Sequence, residues 1–429
     1  MSALLTRSRL KRLFGVASTQ AVVQAIGFLS GIVLVRALAP TQYGYYTLAV
    51  ALVGVANVLT ELGVANAVMS IGGRLVGQGA SLRTLVGDAH ALQAVLALAA
   101  PCFIAPVFVL MLRHQDASLG QALLLVAIGA LCAFFNVRIT IAQSVARLAG
   151  HVAIQQKADL AVNLARLALL ALAALVLLDA VTASALNLVA AAGGFFFWRA
   201  YLRRGLGGAG AASGEHARAL RASVLRQAPN CIYYVLNGQL AVWLVGMFGS
   251  AEKIADVGAL ARLGAGFAVI MSVVATLAMP YFARTEQASQ LESGFVALNA
   301  FFAALLVALT AAAWLAPAPI LWVLGPHYAG LQAELVWMVL ATAIMSWAGA
   351  LYWVACARGW VPPAALAISC GVLTTIAGLR LFDLSTVAGN LKLTTLTAFA
   401  ALLINGGHLG VCLLRHRRLG VARLGEAAS

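Results

Sequence analysis

Four ionisable residues stand where an apolar helix would ordinarily carry none. Arg166 sits well inside the run Leu160-Ala-Val-Asn-Leu-Ala-Arg-Leu-Ala-Leu-Leu170. A charge inside a membrane span costs a few kcal/mol or more, so it faces a cavity or a partner. A guanidinium at such a place suits a pyrophosphate or a sugar carboxylate, which it can bind bidentately. The bland alternative is an arginine that snorkels to the helix end or pairs with Asp159, about two turns earlier. Arg262 opens the eighth apolar segment and has Asp256 and Glu252 as candidate ion-pair partners. Arg36 closes the first segment beside Pro40, as a cavity residue or an interfacial anchor. Glu61 lies deep in the second segment, at Leu59-Thr-Glu-Leu-Gly63, where it would bind a coupling H+ or Na+ or pair with an arginine.

Neutral polar residues cluster around these charges. Gln20 and Gln24 share one face of the first segment, and Asn57 and Glu61 one face of the second. Asn230, Asn237 and Gln239 fall on the seventh. Amides can hydrogen-bond sugar hydroxyls, and they also join helices to each other in membranes. Both readings stand for these six amides. The tyrosines and tryptophans, such as Tyr233, Trp243, Tyr352 and Trp353, read as belt or packing residues.

The segments that must position these groups follow from composition. Of 429 residues, 63% are hydrophobic and only 10% charged. A soluble domain is about 25% charged, so this composition cannot coat a water-facing surface and points to an integral membrane protein. Twelve apolar runs are long enough to span: roughly 13–37, 45–70, 88–112, 119–137, 156–178, 181–200, 228–248, 257–282, 294–315, 333–356, 362–380 and 391–412. They are too long and continuous for barrel strands. The fold class is all-α.

The net charge of +15 would suggest nucleic acid in a soluble chain. Here it sorts by side. Of the 28 Lys and Arg, 21 fall on the even-numbered loops and the two termini and six on the odd-numbered loops, with Arg166 inside a span. That asymmetry predicts cytoplasmic termini and a cytoplasmic central loop, and no nucleic-acid partner. Sequence matches recur at an offset of about 211: Leu119-Gly-Gln-Ala122 with Gly330-Leu-Gln-Ala333, and Arg147 with Arg358. An even number of spans per repeat makes the repeat parallel. The expected organisation is a six-helix lobe over 1–200, a linker over 201–226, a second six-helix lobe over 227–412 and a tail over 413–429.

Absences narrow the chemistry. No phosphate loop, H-E-x-x-H or G-x-S-x-G occurs. The six cysteines show no C-x-x-C spacing, so no metal site, disulfide framework or cofactor is expected, nor an enzyme.

The segment Gly31-Ile-Val-Leu-Val-Arg-Ala-Leu-Ala-Pro-Thr-Gln-Tyr-Gly-Tyr-Tyr-Thr-Leu-Ala49, followed by Glu61-Leu-Gly63, resembles the start of the Wzx-like polysaccharide transporters of the multidrug/oligosaccharidyl-lipid/polysaccharide exporter superfamily. Looser agreements lie at Val257-Gly-Ala-Leu-Ala-Arg-Leu263 leading to Pro280, at Leu324-Gly-Pro-His-Tyr-Ala329 and at Ala357-Arg-Gly359. The resemblance covers about residues 10–415. It implies two six-helix lobes around a cavity in a bacterial inner membrane. The substrate it implies is an oligosaccharide on a polyprenyl pyrophosphate, flipped for O-antigen, capsule or exopolysaccharide. First and seventh spans line the cavity in that family. A proton or sodium gradient is the expected energy source, and membrane lipids and other polysaccharide assembly proteins are expected partners. The rival readings are a drug/cation antiporter of the same superfamily, which would favour acidic cavity residues, a lipid II flippase, and an integral-membrane enzyme acting on polyprenyl-linked sugars.

Overall fold

The structure is a computed structural model. It describes residues 7–77, 82–175, 178–206, 210–264, 266–285, 287–358, 360 and 362–426. All regular structure among them is helical. The long helices are α1 (Arg7–Ala37), α2 (Pro40–Glu61), α3 (Val64–Gly77), α4 (Arg83–His114), α5 (Leu119–Leu148), α6 (Val152–Ala174), α7 (Ala180–Leu206) and α8 (Ala217–Phe248). They continue with α9 (Ala251–Gly264), α10 (Gly266–Arg284), α11 (Ala288–Leu315), the short α12 (Pro317–Trp322), α13 (Gln332–Arg358), α14 (Ala364–Leu381) and α15 (Val387–Glu426).

The described residues of each of the twelve apolar runs lie mostly in helices. Among the described residues nine helices are long and apolar enough to cross a membrane, with Ala21–Ala37 a shorter apolar helix. In α6, Lys157, Asp159 and Arg166 dilute the run, and α8 begins with Arg218, Arg221 and Arg226. Large apolar side chains such as Leu98, Phe103, Leu172 and Val307 lie mostly exposed, as a lipid-facing surface requires. The second span is built from two helices, α2 and α3.

Backbone chemistry explains the break between them. Leu62 and Gly63 both have positive φ, 38° and 84°. Left-handed backbone costs a residue with a Cβ, and glycine removes that cost at the second position. The Glu61 carboxylate then accepts the amide N–H groups that the start of α3 leaves without helical partners. Oε2 takes Gly63 N–H at 2.9 Å and Oε1 takes Ala65 N–H at 2.8 Å.

The chain divides into two compact units. One comprises residues 25–258, the other residues 1–24 with 259–429. In the first, Val64, Val68, Leu85, Ile141, Val145, Trp198, Leu220 and Val224 form a buried core drawn from α3, α4, α5, α7 and α8. In the second, Val274, Phe302, Leu351, Val354 and Leu409 join α10, α11, α13 and α15. There the Asn405 amide donates to Ala348 O at 3.0 Å and Trp347 Nε1 to Asn299 Oδ1 at 2.9 Å. Such interhelical hydrogen bonds replace the hydrophobic drive that lipid cannot supply.

Candidate functional site

Helices α5 and α6 run antiparallel with a polar register. Arg147 Nε donates to Gln155 Oε1 at 3.2 Å, and the Gln143 amide to Asp159 Oδ1 at 3.1 Å. Asp159 also has Gln155 and the charge of Arg147 beside it. Asp159 is therefore tied by hydrogen bonds to α5 and to its own helix. Arg166 is left without that partner. Its Nε is buried and has no hydrogen-bond partner among the described residues. Its charge instead bears on Cys132 of α5. Continuing the register from the Gln143–Asp159 pair places Cys132 beyond Arg166 on the side away from Asp159. A half-buried guanidinium with a free N–H has the chemistry to bind an anion.

A second polar site forms where α8 crosses the α2–α3 break. Gln227 lies against Gly63: a Cβ added there would meet Gln227 Oε1 at 2.8 Å. The same Oε1 accepts from Asn66 at 3.3 Å, while the Gln227 amide donates to Ser223 Oγ at 3.1 Å. Three turns further along α8, Gln239 Nε2 would lie 3.3 Å from a Cβ at Gly54. Asn57 stands between these levels on α2, with a buried Oδ1 that has no partner among the described residues. Cys231 feels the Glu61 charge. Of the sequence-derived set, Asn57 and Glu61 thus lie on α2 and Gln239 on α8 where that helix passes Gly54.

The remaining members of that set are distributed as follows. Arg36 ends α1 and is exposed. Arg262 occupies the last turn of α9 and is half-buried. Gln24 is half-buried on α1. The side chains of Gln20, Asn230 and Asn237 lie outside the described residues.

The sequence reading passed over several groups. Arg138 was placed in a loop, because the apolar count stopped at 137. Helix α5 continues to Leu148, so Arg138 lies within the span, its guanidinium 5.2 Å from the Phe134 ring centroid. The Ile139-Thr-Ile-Ala142 continuation was the available signal. Arg138 also bears electrostatically on His90 of α4, whose Nε2 is buried without a partner among the described residues. Gln227 was missed because a glutamine beside Arg226 reads as loop.

No family model matches the chain, and no curated protein matches it. Solved structures do. The inward-facing conformation of a multidrug resistance MATE family transporter of the MOP superfamily aligns with a TM-score of 0.68 at 14% identity, over 96% of this chain and 100% of that one. The lipid II flippase MurJ in an inward closed conformation aligns at 0.69 and 12%, over 92% of this chain and 86% of that one. A MOP superfamily transporter from Pyrococcus furiosus, described as having a binding pocket of reverse polarity that suggests a different function, aligns at 0.61 and 14%, over 94% and 95%. The chain is thus an all-helical, multi-pass membrane protein with the fold shared by the MATE transporters and the MurJ flippase.

Proposed function

We propose that this chain is a flippase for polyprenyl-pyrophosphate-linked oligosaccharide in the bacterial inner membrane, serving O-antigen, capsule or exopolysaccharide assembly by alternating access. One observation carries the reading. Arg166 lies half-buried on α6, in the fifth apolar run, with its Nε buried and unpartnered among the described residues, and Asp159 of the same helix is hydrogen-bonded to Gln143. An uncompensated cation there is costly unless an anionic cargo offsets it. In this scheme Arg166 receives the pyrophosphate or an acidic sugar, while Asn57, Gln227 and Gln239 offer amides to sugar hydroxyls. The prenyl chain stays in lipid. Arg36 and Arg262, at span ends, meet the headgroup as it enters or leaves.

A drug/cation antiporter would call for a free carboxylate in the cavity. Glu61 has both oxygens engaged by the amides of Gly63 and Ala65. A coupling proton on Glu61 would convert one acceptor into a hydroxyl facing a backbone N–H and so loosen the α2–α3 break. That gives H+ a mechanical route into the cycle, through a backbone hinge. The similarity to a structure described as a lipid II flippase agrees with a lipid-linked cargo.

The test is deletion of the gene followed by analysis of both glycan pools. The expected result is loss of surface polysaccharide with chemically complete lipid-linked units accumulating inside, reversed by the intact gene and not by Arg166→Gln. Surface glycan left at its normal level, or incomplete lipid-linked units, would overturn the reading.

A further inference from the structure

A polar cluster that the transport scheme does not use lies between α4 and α5. The two helices meet there through a side chain and a backbone carbonyl: the Gln93 amide donates to Val137 O at 3.2 Å. Gln93 is 1% exposed, and its Oε1 is buried without a partner among the described residues. His90 stands one turn earlier on the same face of α4, with a buried Nε2 that likewise has no partner among them. Arg138 follows Val137 on α5 and bears electrostatically on His90. One cation, one imidazole and one amide oxygen thus sit at one level of the first unit.

Two ordinary accounts of an arginine inside a span do not cover this one. The first is an ion pair. Among the described residues no carboxylate is paired with Arg138. Asp88, the nearest acid along α4, has its two oxygens bonded to Gly214 N–H at 2.8 Å and His216 N–H at 2.9 Å. The second is snorkelling to the helix end. Arg138 lies ten residues before the end of α5 at Leu148, about 15 Å at the helical rise. Its guanidinium is 5.2 Å from the ring centroid of Phe134, one turn further from that end. The side chain is half-buried, so a ligand can reach it.

We propose that His90, Gln93 and Arg138 form a binding site for a phosphate-bearing headgroup that also carries a hydroxyl. The guanidinium supplies charge-assisted donors to the phosphate oxygens. His90, in the tautomer with its proton on Nε2, donates one more N–H. Gln93 Oε1 only accepts, so it calls for a donor on the ligand. A sugar or glycerol hydroxyl supplies that donor, and a phosphocholine group has none. Two sources offer this chemistry: a sugar pyrophosphate on a polyprenyl chain, and the headgroup of phosphatidylglycerol. The site is separate from Arg166, whose charge bears on Cys132. Cys132 and Arg138 are about 120° apart around α5. The proposal does not rest on the flippase reading, since either source fills the site.

Native mass spectrometry of the purified chain reads the lipid it retains. The probes are phosphatidylglycerol, a polyprenyl-pyrophosphate-linked sugar and phosphatidylcholine, each added to the detergent. Wild type is expected to hold one or both of the first two in preference to phosphatidylcholine. Arg138→Gln and His90→Phe should each lower that retention about tenfold, the loss of a hydrogen bond to a charged group. His90→Gln keeps an N–H donor and should recover part of it. Gln93→Met should remove the preference over phosphatidylcholine, and Arg166→Gln should leave phosphatidylglycerol retention unchanged. Retention of phosphatidylglycerol alone supports the proposal with a bilayer lipid as source, and of the linked sugar alone with cargo as source. Equal retention by wild type and Arg138→Gln, or no preference over phosphatidylcholine in wild type, would overturn it. A second measurement keeps all three side chains. A benzophenone amino acid at Phe134 is photolysed with phosphatidylglycerol present, and adducts that excess phosphatidylcholine does not displace are expected. Adducts that it displaces would overturn the site even where Arg138→Gln does not fold. Failure of export in a chain that shows this binding would count against the flippase reading alone.

Discussion

Replacing Arg166 by glutamine should make the protein more stable and less active, and the pairing of those two signs is the informative part. An arginine at the centre of a spanning helix costs about 2.5–3.5 kcal/mol on insertion scales. A structural arginine recovers that cost through a partner. Arg166 recovers little: its Nε is buried without a hydrogen bond among the described residues, and Asp159 is held by Gln143 at 3.1 Å. Part of its charge is relieved by half-exposure, so the expected gain from Arg166→Gln is about 1–3 kcal/mol. The measurement is denaturant unfolding of purified wild type and variant in the same detergent, beside complementation of glycan export in a deletion strain. Arg166→Lys keeps the charge and loses the planar fork, so it should export at an intermediate rate and be no more stable than wild type. A glutamine variant that is less stable than wild type would show Arg166 to be a paired structural residue. A stabilised variant that exports normally would show an idle charge. Either result refutes the reasoning.

Other perturbations test other links. Gly63→Ala forces a Cβ into left-handed backbone and against Gln227 Oε1 at 2.8 Å; it should destabilise by about 1–3 kcal/mol, and a combined Gln227→Ala change should restore only the steric part in a double-mutant cycle. Glu61→Gln turns one acceptor toward a backbone N–H as a donor; a loss of about 1–3 kcal/mol in thermal or denaturant unfolding is expected, with Glu61→Asp too short to reach both amides. Asp88→Ala frees Gly214 and His216, so a glutamate-specific protease should cut at Glu215 faster than in wild type; unchanged cleavage would show that the carboxylate does not hold this segment. Gly44→Ala drives a Cβ into the backbone carbonyl of Ala251, and lower folded yield in membranes is the expected outcome.

The residues themselves show where sequence reading reaches its limit. The spans were legible because a helix in lipid must be apolar along its whole length, and a count of apolar residues recovers that directly. The break in the second span was half legible. Gly63 was visible, yet its role required Leu62 and Gly63 to take positive φ and Glu61 to turn back onto the α3 amides. The end of the fourth span was misplaced because one arginine, Arg138, looked like a boundary, whereas Phe134 shelters it inside the helix. Asp88 carried no signal in the sequence, since its partners are backbone N–H groups 126 and 128 residues away.

Composition, run length and the placement of Lys and Arg determined that this is a multi-pass helical protein, because lipid acts on every residue of a span independently of the rest of the fold. Which polar residues meet was decided only by tertiary structure. Asn66 and Gln227, or Asp88 and Gly214, are brought together by helix packing, and hydrogen bonds need alignment within a few tenths of an ångström that no spacing along the chain can specify. The same holds for Arg166. Its place within a span is written in the sequence, but whether Asp159 is available to neutralise it depends on Gln143 from the neighbouring helix. That is where a charge changes from a structural detail to a candidate binding site.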